Sequence, residues 1–456
     1  MSLSIVTSSQ PEQWNNRALF RLIWPVVIEQ VLAVTMGAAD TVMVSYVGEF
    51  AVSGVNIIDN INNLLVIAFM ALTTGGAVVC SQYIGRQDYK NSVIASRHLA
   101  YIAIVVSSVM TVITVLLRRP IISLVYGRIE ADVMKAAMIY FLITALSYPF
   151  LALYDACAAL FRSVGNTQVP MRIAILVNIM HIGGNLFFLF VLHTGVGGVA
   201  LSTLVSRFVA AVVLFVMLMR KHRSPISFAG IWKIQINPSM VKKILHIGVP
   251  TGLENSMFQI GRLFTQRAFP YFGTSIIAAN AVTSVVNSIS NMPGNGFSMS
   301  LLTVVGQCLG AGNPEAAKRY TVKILKICWI TIFVMSGLIF IFRDPLISLF
   351  NLSPEAHSAA NTFLSVHCIS MIIGWTFSFA LPNALRAAGD ARYVMKVGII
   401  SMWTVRVSAA YLLTFALGIG PVGVWISMGM DFVTRGIFFF IRWRRGRWQN
   451  MKVIDD

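Results

Sequence analysis

Apolar stretches separated by short polar connections run along almost the whole chain. Each stretch is roughly 20 to 30 residues long, and an α-helix rising about 1.5 Å per residue needs about 20 residues to cross a hydrocarbon core. The pattern therefore predicts an all-α integral membrane protein with twelve transmembrane helices. The predicted spans are 19–47, 50–80, 93–117, 134–161, 169–192, 197–219, 244–271, 275–305, 324–342, 357–385, 393–417 and 421–441.

The composition agrees with this pattern, because 57% of the residues are hydrophobic, only 11% are charged and the mean hydropathy is +0.75. Too little polar surface remains to cover a soluble particle of this length, so lipid must cover it. Four of the five cysteines fall in predicted spans, Cys308 lies three residues beyond one, and they show neither paired nor metal-ligand spacing. We expect structural thiols, no metal site and no cofactor.

Lysine and arginine are concentrated in alternate connections, above all in a linker at 220–240 and a tail at 442–456. The opposite connections are poor in bases apart from Arg118, Arg119 and Arg128. The positive-inside rule then predicts that both termini are cytoplasmic. The formal net charge of +18 is explained by basic loops facing anionic lipid headgroups, and we expect no nucleic-acid partner. The clustered bases include Arg86, Lys90, Arg162, Arg172, Lys221, Arg223, Arg386 and Arg392.

An internal repeat with an offset of 225 residues organises the chain. It predicts an N-lobe at 1–219 and a C-lobe at 241–441, each of six spans in the same orientation, around a central cavity. Two similar bundles can rock between inward-open and outward-open arrangements, which favours a carrier, although duplication can also simply record how a fold arose. The matching residues are Pro25 with Pro250, Glu29 with Glu254, Gly48 with Gly273, Ser81–Gly85 with Gly306–Gly310, and, one residue out of register, LFRSVGN at 160–166 with ALRAAGD at 384–390.

Three acids, Glu29, Asp40 and Glu254, lie inside predicted spans. A carboxylate in mid-helix costs about 3 kcal/mol even on insertion scales, so each must be offset by water, a partner or protonation. Each acid is a candidate site residue, with a helix-tying hydrogen bond as the alternative. Asn62 and Asn287 correspond across the repeat, and they offer either a wet cavity face or interhelical hydrogen bonds.

Asn178, His181 and Asn185 lie in the fifth predicted span, where the histidine is either a proton relay or a hydrogen-bonded structural residue. Asn291 and Met292, in the eighth span, complete the candidate cavity residues. Met-containing walls with a few acids favour a small amphipathic, cationic ligand. Further ionisable residues predicted inside spans, without assigned partners, are Asp155, Arg262, Arg267, His367, Arg406 and Asp431.

Several motifs at matching places in both halves resemble the multidrug and toxic compound extrusion (MATE) family. They are Ala39-Asp40-Thr41-Val42-Met43-Val44 ending at Gly48, Gln82–Gly85, Gln307–Gly310, Arg162–Gly165–Asn166–Thr167 and Arg386–Gly389–Asp390. The resemblance spans nearly the whole chain. It implies two six-helix lobes and efflux of organic cations in exchange for H⁺ or Na⁺.

The resemblance also assigns residues. Asp40 matches the family's coupling aspartate, Asn178 its fifth-span partner and Thr203 a further member of that site, where Na⁺ would bind if it were the coupling ion. The family's second fifth-span acid is replaced by Ile182, with Asn185 nearby as a substitute.

We therefore expect a monomeric antiporter, not an enzyme, in the cytoplasmic (inner) membrane of a bacterium. The alternatives are a lipid-linked saccharide flippase of the same superfamily, which would need a basic cavity, and a membrane-embedded enzyme, for which no HExxH, GxSxG or CxxC motif is present.

Overall fold

The computed structural model describes residues 14–127, 129–220 and 224–454. No strand occurs within these residues, and twelve long helical segments follow one another. Arg128, Lys221 and Arg223, three of the bases in the charge argument, lie outside the described residues, as do 455–456 of the predicted tail. The segments are α1 Asn16–Ser45, α2 Glu49–Gly85, α3 Tyr89–Tyr126, α4 Ala131–Leu146 plus Tyr148–Ser163, α5 Gln168–Val191, α6 Val196–Met219, α7 Pro238–Gln266, α8 Thr274–Gly310, α9 Pro314–Ile341, α10 Pro354–Ala387, α11 Ala391–Ala416 and α12 Val422–Arg444.

Every one of these segments overlaps one predicted span, which confirms the all-helical membrane fold. Within the described part of the chain, nine segments are long and apolar enough to cross a membrane, and the bent α4 makes a tenth. The other two, α7 and α8, have 29 and 37 residues and are long enough. They fall short in composition, because they carry charged residues such as Arg262 and polar ones such as Asn287.

The bend in α4 has a local cause. Its two parts meet at 44° around Ser147, and Pro149 near the start of the second part cannot donate a backbone hydrogen bond. The Ser147 hydroxyl donates to the Thr144 carbonyl, and Arg207 of α6 donates to that hydroxyl at 2.7 Å. The Ala145 carbonyl, to which Pro149 cannot donate, accepts from the Thr111 hydroxyl at 3.0 Å, and Arg207 is held at this level of the bundle.

The described chain divides into two compact units. Of the described residues, those within 28–84 and 88–252 form the N-terminal unit, and those within 14–27, 85–87 and 253–454 form the C-terminal unit. Helices α1 and α7 contribute residues to both units. The predicted lobes, divided by the linker at 220–240, stay a prediction.

A compact apolar cluster fixes the helices of the N-terminal unit. Val44 of α1, Ile58 of α2, Phe141 of α4 and Val199 of α6 are all 1% exposed or less. Side chains four positions apart lie on one face of a helix, so this cluster also sets the positions of Asp40 and Thr203. Tyr140 is itself a member of the cluster. All five cysteines are buried free thiols, as the sequence predicts.

Candidate functional site

Asp40 of α1 meets two side chains of α5 inside the N-terminal unit. The amide of Asn185 donates to Asp40 Oδ1 at 2.7 Å, and His181 Nδ1 lies 3.4 Å from the same oxygen. Asn185 and His181 are buried, whereas 17% of the Asp40 side chain is exposed. The carboxylate is therefore anchored from one side and accessible from the other.

Thr203 links His181 to the backbone of α6. Its hydroxyl lies 3.1 Å from the Val199 carbonyl and 3.0 Å from His181 Nε2. A hydroxyl has one hydrogen, so when Thr203 donates it to Val199 it accepts from His181, and Nε2 carries the proton. His181 Nδ1 then presents a lone pair toward Asp40, and it has no hydrogen-bond partner among the described residues.

Two lone pairs that face each other at 3.4 Å repel unless a proton lies between them. One proton, carried either by the Asp40 carboxyl or as a second proton on the imidazole, satisfies both groups at once. The arrangement can therefore bind and release a single proton at the Asp40–His181 contact.

Asp59 and Arg207 are site residues that the sequence analysis missed. Both interact electrostatically with Asp40, and Tyr140 donates its hydroxyl to Asp59 Oδ1 at 3.3 Å. Both are ionisable residues inside predicted spans, so the criterion that selected Asp40 would have found them. The Asp40 site thus contains two acids and one arginine.

The structure does not bring every predicted member to Asp40. Asn178, the partner implied by the family resemblance, is buried and donates to the Ala174 carbonyl of its own helix at 2.9 Å. Its Oδ1 has no partner in the described chain, and neither has Oδ1 of Asn185. Asn62 bonds to two residues of α4: it accepts from the Tyr148 hydroxyl at 2.6 Å and donates to the Thr144 hydroxyl at 3.5 Å.

Glu29 and Glu254, the other predicted acids, each form an ion pair. Arg162 donates to both oxygens of Glu29 at 3.0 and 3.1 Å, and Arg386 donates to Glu254 at 2.6 Å. The acids match at the 225-residue offset, and the arginines match through the LFRSVGN and ALRAAGD motifs. The repeat therefore contains the same pair twice. Both arginines are largely buried against acids, which corrects their use as headgroup-facing loop bases.

The remaining predicted cavity residues lie on α8. Met292 is buried, and Asn291 donates to the Asn287 carbonyl and side chain, both at 2.9 Å. Asn287 lines a pocket of the C-terminal unit together with Arg262 and Arg406. Among the described residues no group of three or more His, Cys, Asp or Glu side chains could hold a metal ion.

Comparison with known proteins gives consistent matches over the whole chain. The MatE family model matches residues 25–187 and 250–412. The chain is 28% identical to an uncharacterized transporter, YisQ of Bacillus subtilis, over 94% of both chains, and 25% identical to a probable multidrug resistance protein, NorM of Thermotoga maritima, over 96% of this chain and 94% of the relative. It also shares its fold with an outward-facing multidrug resistance MATE family transporter, with a TM-score of 0.89 and 18% identity over 98% of both chains.

Proposed function

The chain belongs to the MatE family of multidrug and toxic compound extrusion transporters, and on that premise we propose that it is a secondary antiporter that exports amphipathic cations in exchange for inward protons. The Asp40 carboxylate couples the two movements. The proton and the cationic substrate compete for its charge, so each is released when the other binds.

The observation that carries this proposal is the contact between Asp40 and His181. A buried, unpartnered imidazole nitrogen 3.4 Å from a carboxylate oxygen is a place where one proton is stabilised and from which a positive charge can displace it. Asn185 orients the carboxylate, and Thr203 holds the ring in the required tautomer. The names of the multidrug relatives support export of drug-like molecules.

Sodium is the second candidate for the coupling ion. It is favoured by the free Oδ1 atoms of Asn178 and Asn185, because amide and carboxylate oxygens are suitable ligands for hard cations. His181 distinguishes the two ions: its nitrogen contributes directly to a proton site and little to a sodium site.

The test is export of a cationic dye, measured as its accumulation in inside-out vesicles under a pH gradient or a Na⁺ gradient imposed separately. Wild type extrudes dye under the pH gradient. Asp40→Asn loses this activity while keeping its expression, because the amide cannot exchange a proton. Asp132→Asn is the matched control, since Asp132 is an exposed carboxylate in the first turn of α4. Full activity of Asp40→Asn contradicts the coupling role, and extrusion driven only by Na⁺ contradicts proton coupling.

The arginines of the structure favour the flippase alternative, which needs a basic cavity. Glu29 and Glu254 are both neutralised by arginine, so these acids do not oppose a basic cavity. The pocket beside Asn287 also carries Arg262 and Arg406. Reorientation of a fluorescent lipid-linked saccharide in vesicles, without any dye extrusion, would select this function.

A further inference from the structure

The pocket of the C-terminal unit is the repeat counterpart of the Asp40 site, with its acids replaced. The pocket is partly open to solvent, and its empty space, with that solvent included, amounts to about 360 Å³. At the offset of 225, Asp40 corresponds to Thr265 and Asp59 to Ser284, and both of these hydroxyl residues line the pocket. His181 corresponds to Arg406, which also lines it. Where the N-terminal unit has a cluster of two acids and a histidine, the C-terminal unit has a cluster of two hydroxyl residues and an arginine.

Positive charge in this pocket exceeds the negative charge nearby. Arg262, which occupies the position of Gly37, is a second arginine in the pocket wall, and none of the described residues that line the pocket carries a carboxylate. The neighbouring acid, Asp431, already contacts Arg435 at 3.1 Å and Arg406 at 3.9 Å. Within the described chain no hydrogen bond or ion pair reaches the Arg262 side chain.

Two buried donors in the pocket wall lack acceptors. Arg406 is 8% exposed and Trp425 is 6% exposed, yet Nε of Arg406 and Nε1 of Trp425 have no hydrogen-bond partner among the described residues. A buried donor without an acceptor is destabilising, so such groups usually have a partner. Both atoms are N–H groups that can only donate, and the group that satisfies them must accept.

Aromatic contacts hold the arginines in place without cancelling their charge. The Arg406 guanidinium lies 5.3 Å from the centre of the Phe258 ring, and the Arg435 guanidinium lies 4.9 Å from it. Such contacts are favourable for arginine, but they provide no acceptor for Nε. Phe269, Val424 and Met428 provide an apolar part of the wall. The remaining lining residues are polar but uncharged, namely Thr265, Gln266, Asn280, Ser284 and Asn287.

We propose that this pocket binds the oxyanion of an amphipathic molecule, with the carboxylate or phosphate between Arg262, Arg406 and Trp425 and the apolar part against Phe269, Val424 and Met428. Carboxylate drugs or metabolites and lipid phosphates are the two sources of this chemistry. The site goes beyond the proposed function, because it does not involve Asp40.

The test is calorimetric titration of the purified full-length protein in neutral detergent with four probes. They are 1-naphthoate, dodecyl phosphate, inorganic phosphate and, as the cation of matched shape, 1-naphthylmethylammonium. Wild type binds one or both amphipathic anions more tightly than the cation and more tightly than inorganic phosphate. If 1-naphthoate binds more tightly, the ligand is a carboxylate drug or metabolite; if dodecyl phosphate does, it is a lipid phosphate.

Arg262→Gln weakens this binding by at least about tenfold, which corresponds to about 1.4 kcal/mol at 25 °C. Trp425→Phe, which keeps the ring and removes the N–H donor, weakens it less. Arg267→Gln is the matched control, because Arg267 is exposed and lies outside the pocket. This variant is expected to bind the anions as wild type does. Size-exclusion profiles and melting temperatures establish that each variant is folded.

Equal or tighter binding of the cation, binding of inorganic phosphate alone, or unchanged anion affinity in Arg262→Gln would each overturn the proposal. Calorimetry needs no ion gradient, so its outcome is independent of the coupling role of Asp40.

Discussion

The two units of this transporter contain the same pair of buried charges but opposite chemistry at corresponding polar clusters. Glu29–Arg162 and Glu254–Arg386 are equivalent across the repeat. In contrast, the N-terminal unit carries Asp40, Asp59 and His181 where the C-terminal unit carries Thr265, Ser284 and Arg406. The shared pairs are elements of the fold, because changing either partner leaves a buried charge uncompensated.

The clusters that differ are free to change because they adjoin accessible space. Asp40 is 17% exposed, and the C-terminal cluster surrounds a pocket. We therefore propose that the duplicated bundle keeps its scaffold while one copy binds protons and cations and the other binds an anion.

The largest effect is expected at the shared ion pairs. Glu29→Gln and Glu254→Gln should each lower the free energy of unfolding by about 3–5 kcal/mol, because each leaves an arginine buried without its acid. Melting temperatures in detergent measure this loss, and both units should show it.

The double variant Glu29→Gln with Arg162→Met is the control for that prediction. Removing both charges should recover part of the stability lost by Glu29→Gln, since the uncompensated charge is gone. A double variant that melts below the single variant would argue against a pair whose main role is mutual neutralisation.

A carboxylate introduced into the C-terminal pocket should remove its preference for anions. In Thr265→Asp the new acid lies three residues after Arg262 on the same helix, where the two side chains can pair. Affinity for 1-naphthoate or dodecyl phosphate should fall by about tenfold or more. Ser288→Asp, at an exposed position of α8 outside the pocket, adds the same charge and should leave the affinity unchanged.

A smaller effect is expected when the two asparagines of α5 are compared. Asn185→Ala should reduce dye extrusion under a pH gradient by up to about tenfold, because it removes a hydrogen bond to a carboxylate. Asn178→Ala should change it little, since that amide bonds to its own helix. Equal losses in the two variants would indicate that both amide oxygens bind a cation, and would favour sodium.

The fold was largely predictable from the sequence because lipid imposes a simple rule on span length. The predicted spans differ from the helices mainly at their ends; for example, α9 begins at Pro314 rather than 324, since helices continue beyond the apolar core under local signals such as the Asn313 cap. The repeat also predicted which residues correspond. It did not predict that Arg162 and Arg386, at the edge of their spans, turn inward to Glu29 and Glu254.

The site was predictable in part. Asp40 was selected as an acid inside a predicted span, and the family resemblance assigned it the coupling role. Thr203 was selected through that resemblance, and Asn185 as a substitute for the family's missing acid. Asn178 and Asn185 are two helical turns apart on one face, so sequence alone could not show which one reaches Asp40; that depends on how deep α1 lies beside α5. The reversed polarity of the C-terminal cluster became visible only when the pocket showed which residues of the repeat line it.

Proton release on substrate binding tests the central claim most directly. A cationic dye is titrated into purified protein in weakly buffered detergent solution while a soluble indicator reports pH. The account predicts release of about one proton per dye molecule bound by wild type, and none by Asp40→Asn. Binding by wild type without proton release, or the same release from Asp40→Asn, would contradict it.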